Sequence, residues 1–378
     1  MNVFHFRPLI LLLVFMFIAC SKDNHVAPAE EIVTTRSFYM GFTAFPYADT
    51  SEAFNETVSN VKNDGDLFLA HFDFGVPWDE VRNNESFPIN VQAEIAVAQA
   101  QKSTDTKLIL TTTALDQNRE HLALYWNNEG THQPLPTFWV DKTFNDPEVI
   151  QTYTDYCRRL IVAVQPDYFG YGIEANAVFQ KEEASFIQYL ELCASVYNTL
   201  KTEYPNLPIF LSVQDQSGSN TRAELLETTR MLLQYSDYVA MSTYPFLDYT
   251  DLTRDANPVL FSDTWLTDFR NLAPNKPFAV AETGFTAEDL AISGMGVDIK
   301  GSEAWQQQYV LKLMEQSNTL EAEFVAWFVY RDYDILYNNT PSPPDALKIW
   351  KDNGLLDGGG NPRASYTTWL EWLSLPKE

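Results

Sequence analysis

The chain predicts an α/β fold: one (β/α)8 TIM barrel, preceded by a leader and a short tether. Three observations carry this. Short apolar runs, rich in β-branched and aromatic residues, occur eight times. Amphipathic stretches of helical length separate them, and that alternation over some 340 residues points to one closed parallel barrel. No glycine-rich phosphate fingerprint follows the first run, which argues against an open dinucleotide-binding sheet. The expected boundaries are 1–19 for the leader, 20–35 for the tether and 36–378 for the barrel.

The strand-like runs lie at 37–45, 66–74, 107–113, 168–174, 208–213, 238–244, 277–282 and 324–329. Parallel strands buried on both faces are expected to be mostly apolar, and these runs are short, apolar and often β-branched or aromatic. Helical stretches lie at 52–62, 91–102, 146–164, 182–203, 222–235, 262–272, 303–316, 345–351 and 364–373. In the stretch 146–164, Val149, Tyr153, Tyr156, Leu160 and Val164 fall at helical spacing. Pro147 and Glu148 mark its first turn, and Pro166, Pro205 and Pro274 stand between helices and the strands that follow. Residues 357–362, Asp-Gly-Gly-Gly-Asn-Pro, signal a turn.

Residues 8–19 form an apolar run after Arg7, too short to cross a bilayer as a mature helix, and read as a signal peptide. The run ends in Phe17-Ile18-Ala19-Cys20, which resembles a bacterial lipobox. That resemblance implies that Cys20 becomes lipidated and forms the new N-terminus. Ser21 resembles an outer-membrane sorting signal, and Lys22-Asp23 a surface-export signal. The implied location is the outer membrane, facing outward, with an uncleaved anchor as the alternative. Cys157 and Cys193 fall in helices among apolar neighbours and are expected as free core thiols. No His or Cys group has zinc-site spacing, so no metal or cofactor is expected. The formal net charge of -26 opposes binding to nucleic acid phosphates and to anionic lipid. Membrane contact is thus expected through the lipid anchor only, and the protein as a monomer.

In such barrels chemistry sits at the C-terminal ends of the strands. The polar residues there are His71, Asp73 and Trp78 after strand two, Asp116 after three, Glu174 and Asn176 after four, and Gln214 and Asp215 after five. Tyr244 ends strand six and Glu282 strand seven; Trp327, Tyr330, Arg331, Asp332 and Asp334 follow or end strand eight. Glu174 and Glu282 each close an apolar run beside small residues. A carboxylate there is costly unless it is paired or faces a cleft. Strands four and seven lie across the ring from each other, so two inward carboxylates could flank one bond, as glycosidic hydrolysis requires. Tyr244 could hydrogen-bond Glu282 and favour its ionised form. The long loop 115–145 carries Tyr125, Trp126, Phe138 and Trp139, which either stack on sugar rings or pack the loop. His71 and Asp73 alternate on one side of strand two. Asp332 and Asp334 read as a solvated loop face.

The layout resembles clan A of the glycoside hydrolases, retaining barrels with acid/base and nucleophile glutamates at the ends of strands four and seven. Gly172-Ile173-Glu174-Ala175-Asn176 looks like the acid/base motif, and Ala281-Glu282-Thr283-Gly284-Phe285 like the nucleophile motif. Ser242-Thr243-Tyr244-Pro245-Phe246 is similar to the strand-six motif of endo-β-1,4-galactanases. The resemblance implies that Glu174 is the acid/base and Glu282 the nucleophile. It also implies a carbohydrate partner and an aromatic, Trp327, beneath the sugar. The chain departs from the clan at Ile173, where an Asn that holds the sugar 2-hydroxyl is usual; Asn176 or Gln214 are the substitutes at hand. The expected function is retaining hydrolysis of β-glycosidic bonds in a polysaccharide or oligosaccharide at the cell surface. The alternative is a non-catalytic glycan-binding lipoprotein on the same barrel; an aldolase or isomerase is disfavoured, because no Lys of this chain ends a strand in a Schiff-base position and no basic phosphate site follows strands seven and eight.

Overall fold

Eight parallel strands close into a ring in the computed structural model, which describes residues 33–180, 183–215 and 222–378. Cys20, the leader 1–19 and the tether through residue 32 lie outside the described residues. The chain divides into units Met1–Thr34 and Thr35–Glu378, and the second is the barrel. Its strands are β1 (Tyr39–Thr43), β2 (Leu67–Phe72), β3 (Lys107–Thr112), β4 (Tyr168–Gly172), β5 (Ile209–Asp215), β6 (Val239–Thr243), β7 (Phe278–Thr283) and β8 (Phe324–Trp327). They pair in sequence order, and β8 closes on β1 through Tyr39–Phe324 to Phe42–Trp327.

Around the ring run α1 (Ser51–Asn63), α2 (Ile89–Gln101), α3 (Pro147–Val164), α4 (Glu183–Glu203), α5 (Arg222–Leu232), α6 (Trp265–Arg270), α7 (Glu303–Thr319) and α8 (Ala364–Leu373). Thr50 caps α1 by accepting the Ala53 N–H, and Ser302 caps α7 by accepting that of Trp305. In α3 the residues at helical spacing, Val149 to Val164, are all buried, and Gln165 ends the helix in the left-handed region. The expected helix 262–272 is shorter because the Ser262 hydroxyl accepts the Thr264 N–H, a turn that delays its start to Trp265. Loop 115–145 holds a hairpin, Tyr125–Asn127 with Gly130–Gln133. Loop 291–302 belongs to a second, Leu290–Ile292 with Val297–Ile299, turned at Gly296 with φ +69°. Cys157 and Cys193 are free and buried, and burial pushes both thiols up. No helix among the described residues is long and apolar enough to cross a membrane.

The lumen is graded from floor to mouth. At the floor the rings of Tyr168, Phe210, Tyr238 and Phe324 pack against one another. The same lumenal cluster takes Leu67, Leu69 and Ile109 from β2 and β3 and the small Ala240, Ala279, Ala281 and Ala326 from β6, β7 and β8. A Cβ on Gly170 would stand 2.8 Å from the Thr111 methyl, so the strand approaches its neighbour only as glycine. At the mouth the lining turns polar. Two irregularities sit just below it. In β4, Gly170 and Gly172 pair with consecutive residues of β5, Phe210 and Leu211. In β7, Val280 and Glu282 pair with consecutive residues of β6, Met241 and Ser242. In β7 the extra residue, Ala281, stands immediately before Glu282, and in β4 it is Tyr171, three residues before Glu174; a bulge of that kind re-aims the side chains beyond it. Strict alternation would give Glu282 the face of Val280, which packs outside the ring.

The two ends of the barrel unit meet at its N-terminal face. Arg36 N–H donates to the Pro376 carbonyl at 3.0 Å, and Glu378 N–H donates to the Arg36 carbonyl at 3.0 Å. The Arg36 guanidinium is buried against Asp66 and the Leu375 carbonyl.

Candidate active site

Glu174 follows β4 with φ +48°, a left-handed backbone that a non-glycine residue holds only under constraint. Part of the constraint is visible: its N–H donates to the Ser212 hydroxyl of β5 at 2.9 Å. Its side chain reaches past β5, and the Ser242 hydroxyl of β6 donates to Oε1 at 2.9 Å. Ser242 is also the register partner of Glu282. One small residue thus stands between the two glutamates. Tyr244 donates its hydroxyl to Glu282 Oε1 at 2.5 Å. His71 Nε2 lies 3.9 Å from Glu282 Oε2, while its Nδ1 shares a hydrogen bond with Thr111 at 2.9 Å.

The site holds a cation that the sequence did not reveal. Arg119, in the loop after β3, grips Asp73 through two guanidinium nitrogens at 3.2 and 2.8 Å. Its Nε stands 3.6 Å from Glu174 Oε2. Asp73 therefore lines the site through Arg119, and that partner holds its carboxyl below the usual range against the opposing effect of burial.

The electrostatics follow from burial. Glu282 is pushed up to about 8, first by desolvation and next by the charge of Glu174, against the Tyr244 hydrogen bond and Arg119. His71 is driven down to about 4 by burial, so it is neutral at pH 7 and its contact with Glu282 is not an ion pair there.

The aromatic lining differs from the sequence expectation. Trp327 is fully buried outside the lumen, donating its indole N–H to the Asn353 carbonyl at 3.0 Å and packing on Tyr309 and Trp369. Phe324 and Ala326 face the lumen, so alternation assigns the lumenal position beyond them to Phe328. Trp78 and Trp139 are fully buried and pack on each other, donating to the Ala123 carbonyl and to Asp79. Trp126 is buried against Phe72 and Phe74. All four expected tryptophans are packing residues: Trp126 and Trp139 give the long loop a core of its own, Trp78 packs on Trp139, and Trp327 packs behind β8. The rings beside Glu282 form a chain from Tyr244 to Trp350, then Phe328, Phe45 and His71. Trp350 comes from the segment after β8, with no motif to announce it.

Asn176 is also corrected. It is fully buried, its amide donates to the Gln214 carbonyl and the Thr229 hydroxyl, and its oxygen accepts the Gln214 N–H. That ties the turn after β4 to β5 and leaves nothing for a ligand. Gln214 is half-buried, in the lumenal row of Phe210 and Ser212 and in register with Ser242. Asp332 is buried rather than solvated, bonded to Arg363 and the Gly354 N–H. With Glu288 and Asp352 it forms a group close enough to hold a metal ion among the described residues, but Arg363 already bonds Asp332 and Glu288.

Trp327→Phe tests the correction. Loss of a buried indole is expected to destabilise the fold by about 1–3 kcal/mol in urea unfolding while leaving KM unchanged. A raised KM at unchanged stability would return Trp327 to the site.

No family model matches the chain, and no curated protein does. Solved structures share its architecture. An exo-β-1,4-mannosidase from Opitutaceae bacterium strain TAV5 gives a TM-score of 0.61 at 14% identity, over 90% of this chain and 59% of that one. A GH5_18 protein from Streptomyces cattleya in complex with Manβ1-4GlcNAc gives 0.62 at 13% identity, over 90% and 83%. Native xylanase 10B from Thermotoga maritima gives 0.58 at 11% identity, over 90% and 98%. The fold is a TIM barrel. The chain spans 59% of the mannosidase and 51% of a β-D-glucuronidase from Dictyoglomus thermophilum, and at such identities the likeness is one of fold alone.

Proposed function

We propose that this chain is a retaining β-glycoside hydrolase, with Glu174 as acid/base and Glu282 as nucleophile. The observation that carries the reading is the carboxyl pair at the barrel mouth. Glu282 follows an extra strand residue, Glu174 sits on a left-handed backbone, and Ser242 stands between them, bonded to one and in register with the other. Glu282 would attack the anomeric carbon as the bond to the leaving oxygen breaks, and Glu174 would give that oxygen its proton. Water would then attack the same carbon, passing a proton to Glu174 and releasing Glu282. The chain of rings beside Glu282 offers apolar faces to a sugar. The names of the structural neighbours, mannosidase, xylanase and glucuronidase, agree in reaction type.

The finer reading is endo action on a polysaccharide by an outer-membrane lipoprotein, anchored through Cys20 and facing outward. The leader and lipobox support it. Ile173, buried and apolar where the clan carries Asn, favours the second reading, glycan binding without turnover. Time-resolved proton NMR of hydrolysis tests the first: the β anomer is expected as the initial product. Initial release of the α anomer would exclude retention, and binding of a polysaccharide with no reducing ends released would favour the second reading.

A further inference from the structure

Among the described residues two aromatic rings are exposed, Phe138 and Tyr249. The Phe138 ring is already covered. The Arg82 guanidinium lies 3.8 Å from its centroid and Lys142 Nζ 5.1 Å, and Trp139 meets it edge-on. Tyr249 is 50% exposed and has neither a ring partner nor a hydrogen bond among the described residues.

The loop that displays it is firmly tied. It leaves β6 at Tyr244, and the Leu247 N–H turns back to the Tyr244 carbonyl at 2.9 Å. Phe246 anchors it by packing on Tyr244 and Phe285. Asp248 accepts the N–H and the hydroxyl of Thr250, which closes a turn around Tyr249. Arg254 binds the Pro245 carbonyl and Asp248, each at 2.8 Å. A free ring face on a fixed mount is a stacking surface that needs little ordering when a ligand arrives.

The loop leans toward the Glu174 side of the mouth. Asp248 lines one cavity with Arg222, and Arg222 pairs with Asp215 at the end of β5. That strand lies between β6 and β4, the strand that leads to Glu174. Burial pushes the Tyr249 phenol up to about 12, and the charge of Glu174 adds to the rise. The groups that hold Glu174, namely Ser212, Ser242 and Arg119, offer no ring. The chain of rings from Tyr244 to His71 stands beside Glu282 instead.

We propose that Tyr249 is the platform of the leaving-group subsite, stacking on the sugar that is released, so that the bond cleaved joins two sugars. The inference rests on the reading of Glu174 as the acid. As the anomeric carbon bonds to Glu282, its bond to the leaving oxygen breaks. That oxygen takes the Glu174 proton and becomes a hydroxyl of the sugar on Tyr249. Binding energy from this remote face then serves only substrates that have a ring there.

The test uses β-1,4-linked tetrasaccharides of mannose, xylose, galactose and glucose. In Glu282→Gln carrying carbon-13 in its tyrosine rings, with the Tyr249 signal assigned through Tyr249→Phe, at least one of them is expected to shift that signal. In the active protein, Tyr249→Ala is expected to lower kcat/KM on the cleaved tetrasaccharide by about tenfold or more, and by less than about twofold on the matching β-glycosyl fluoride, whose leaving group has no face to stack. Tyr249→Phe keeps the ring and is expected to match the wild type on both. Equal loss on the two substrates, no loss on the tetrasaccharide, or a loss in Tyr249→Phe as large as in Tyr249→Ala would overturn the proposal. So would a Tyr249 signal that no tetrasaccharide shifts. A shifted signal in a protein whose wild type cleaves nothing would overturn the hydrolytic reading and leave the platform standing.

Discussion

Glu282→Gln is expected to lower hydrolysis by about 10^4-fold or more while the barrel folds, since an amide cannot form the covalent intermediate. Its effect on stability should have the opposite sign. In the folded protein Glu282 is raised to about 8, well above the ordinary range of an unfolded glutamate. Between those values the folded state binds more protons than the unfolded state, so the contribution of Glu282 is fully present below the unfolded value and is lost as pH rises through 8. At pH 9 the wild type carries a buried carboxylate beside the charge of Glu174, at a cost of a few kcal/mol on the order-of-magnitude scale of such shifts. Glutamine has no such charge and can still accept the Tyr244 hydroxyl. Thermal melts are expected to show the variant above the wild type at pH 9 and the gap closing toward pH 5. A variant less stable at pH 9, or one retaining activity, would remove Glu282 from the role of buried nucleophile.

Glu174→Ala is expected to cost about 10^2–10^4-fold in kcat/KM for glycosides whose leaving group needs a proton. For a dinitrophenyl glycoside, whose leaving group departs without one, formation of the intermediate should be almost unimpaired. The slow step then becomes its hydrolysis, and a small anion such as azide, needing no general base, should restore turnover. An equal loss across leaving groups, with no rescue, would make Glu174 a structural residue. The bond that its side chain accepts from the Ser242 hydroxyl would then be its purpose.

The barrel was legible because its determinants are local. An apolar run such as 208–213 followed by an amphipathic stretch such as 222–235 declares strand and helix with no distant partner. The observed β5 runs two residues further, to Asp215, because Gln214 and Asp215 complete the ladder to β6. The two glutamates were legible as strand-end carboxylates, but their direction was not. Alternation counted from Val280 points Glu282 outward, and only the extra residue, a property of pairing with β6, returns it to the mouth. The reverse held in β8, where alternation from Phe324 and Ala326 favours Phe328 and the motif resemblance favoured Trp327. Arg119 carried no local signal: it is 46 residues from Asp73 and on a loop, and only the closed ring brings them together. The loop tryptophans failed for a related reason. Composition shows that Trp78, Trp126 and Trp139 are large and apolar, but not whether the loop wraps them or displays them.

The junction of Arg36 with Pro376 and Glu378 has a topological consequence. In a parallel barrel the N-terminal face is the one opposite the mouth that holds the carboxyl pair, so the barrel unit begins and ends on the side away from that pair. The barrel is nearly a closed loop of polypeptide. Residues 36 and 378 could be spliced by a few linking residues and the chain reopened between a helix and the next strand, leaving every strand pairing intact. The same geometry governs mechanical load. Force applied at Arg36 is borne by the Asp66, Leu375 and Pro376 contacts at the base of β1, a full strand length from the carboxyl pair.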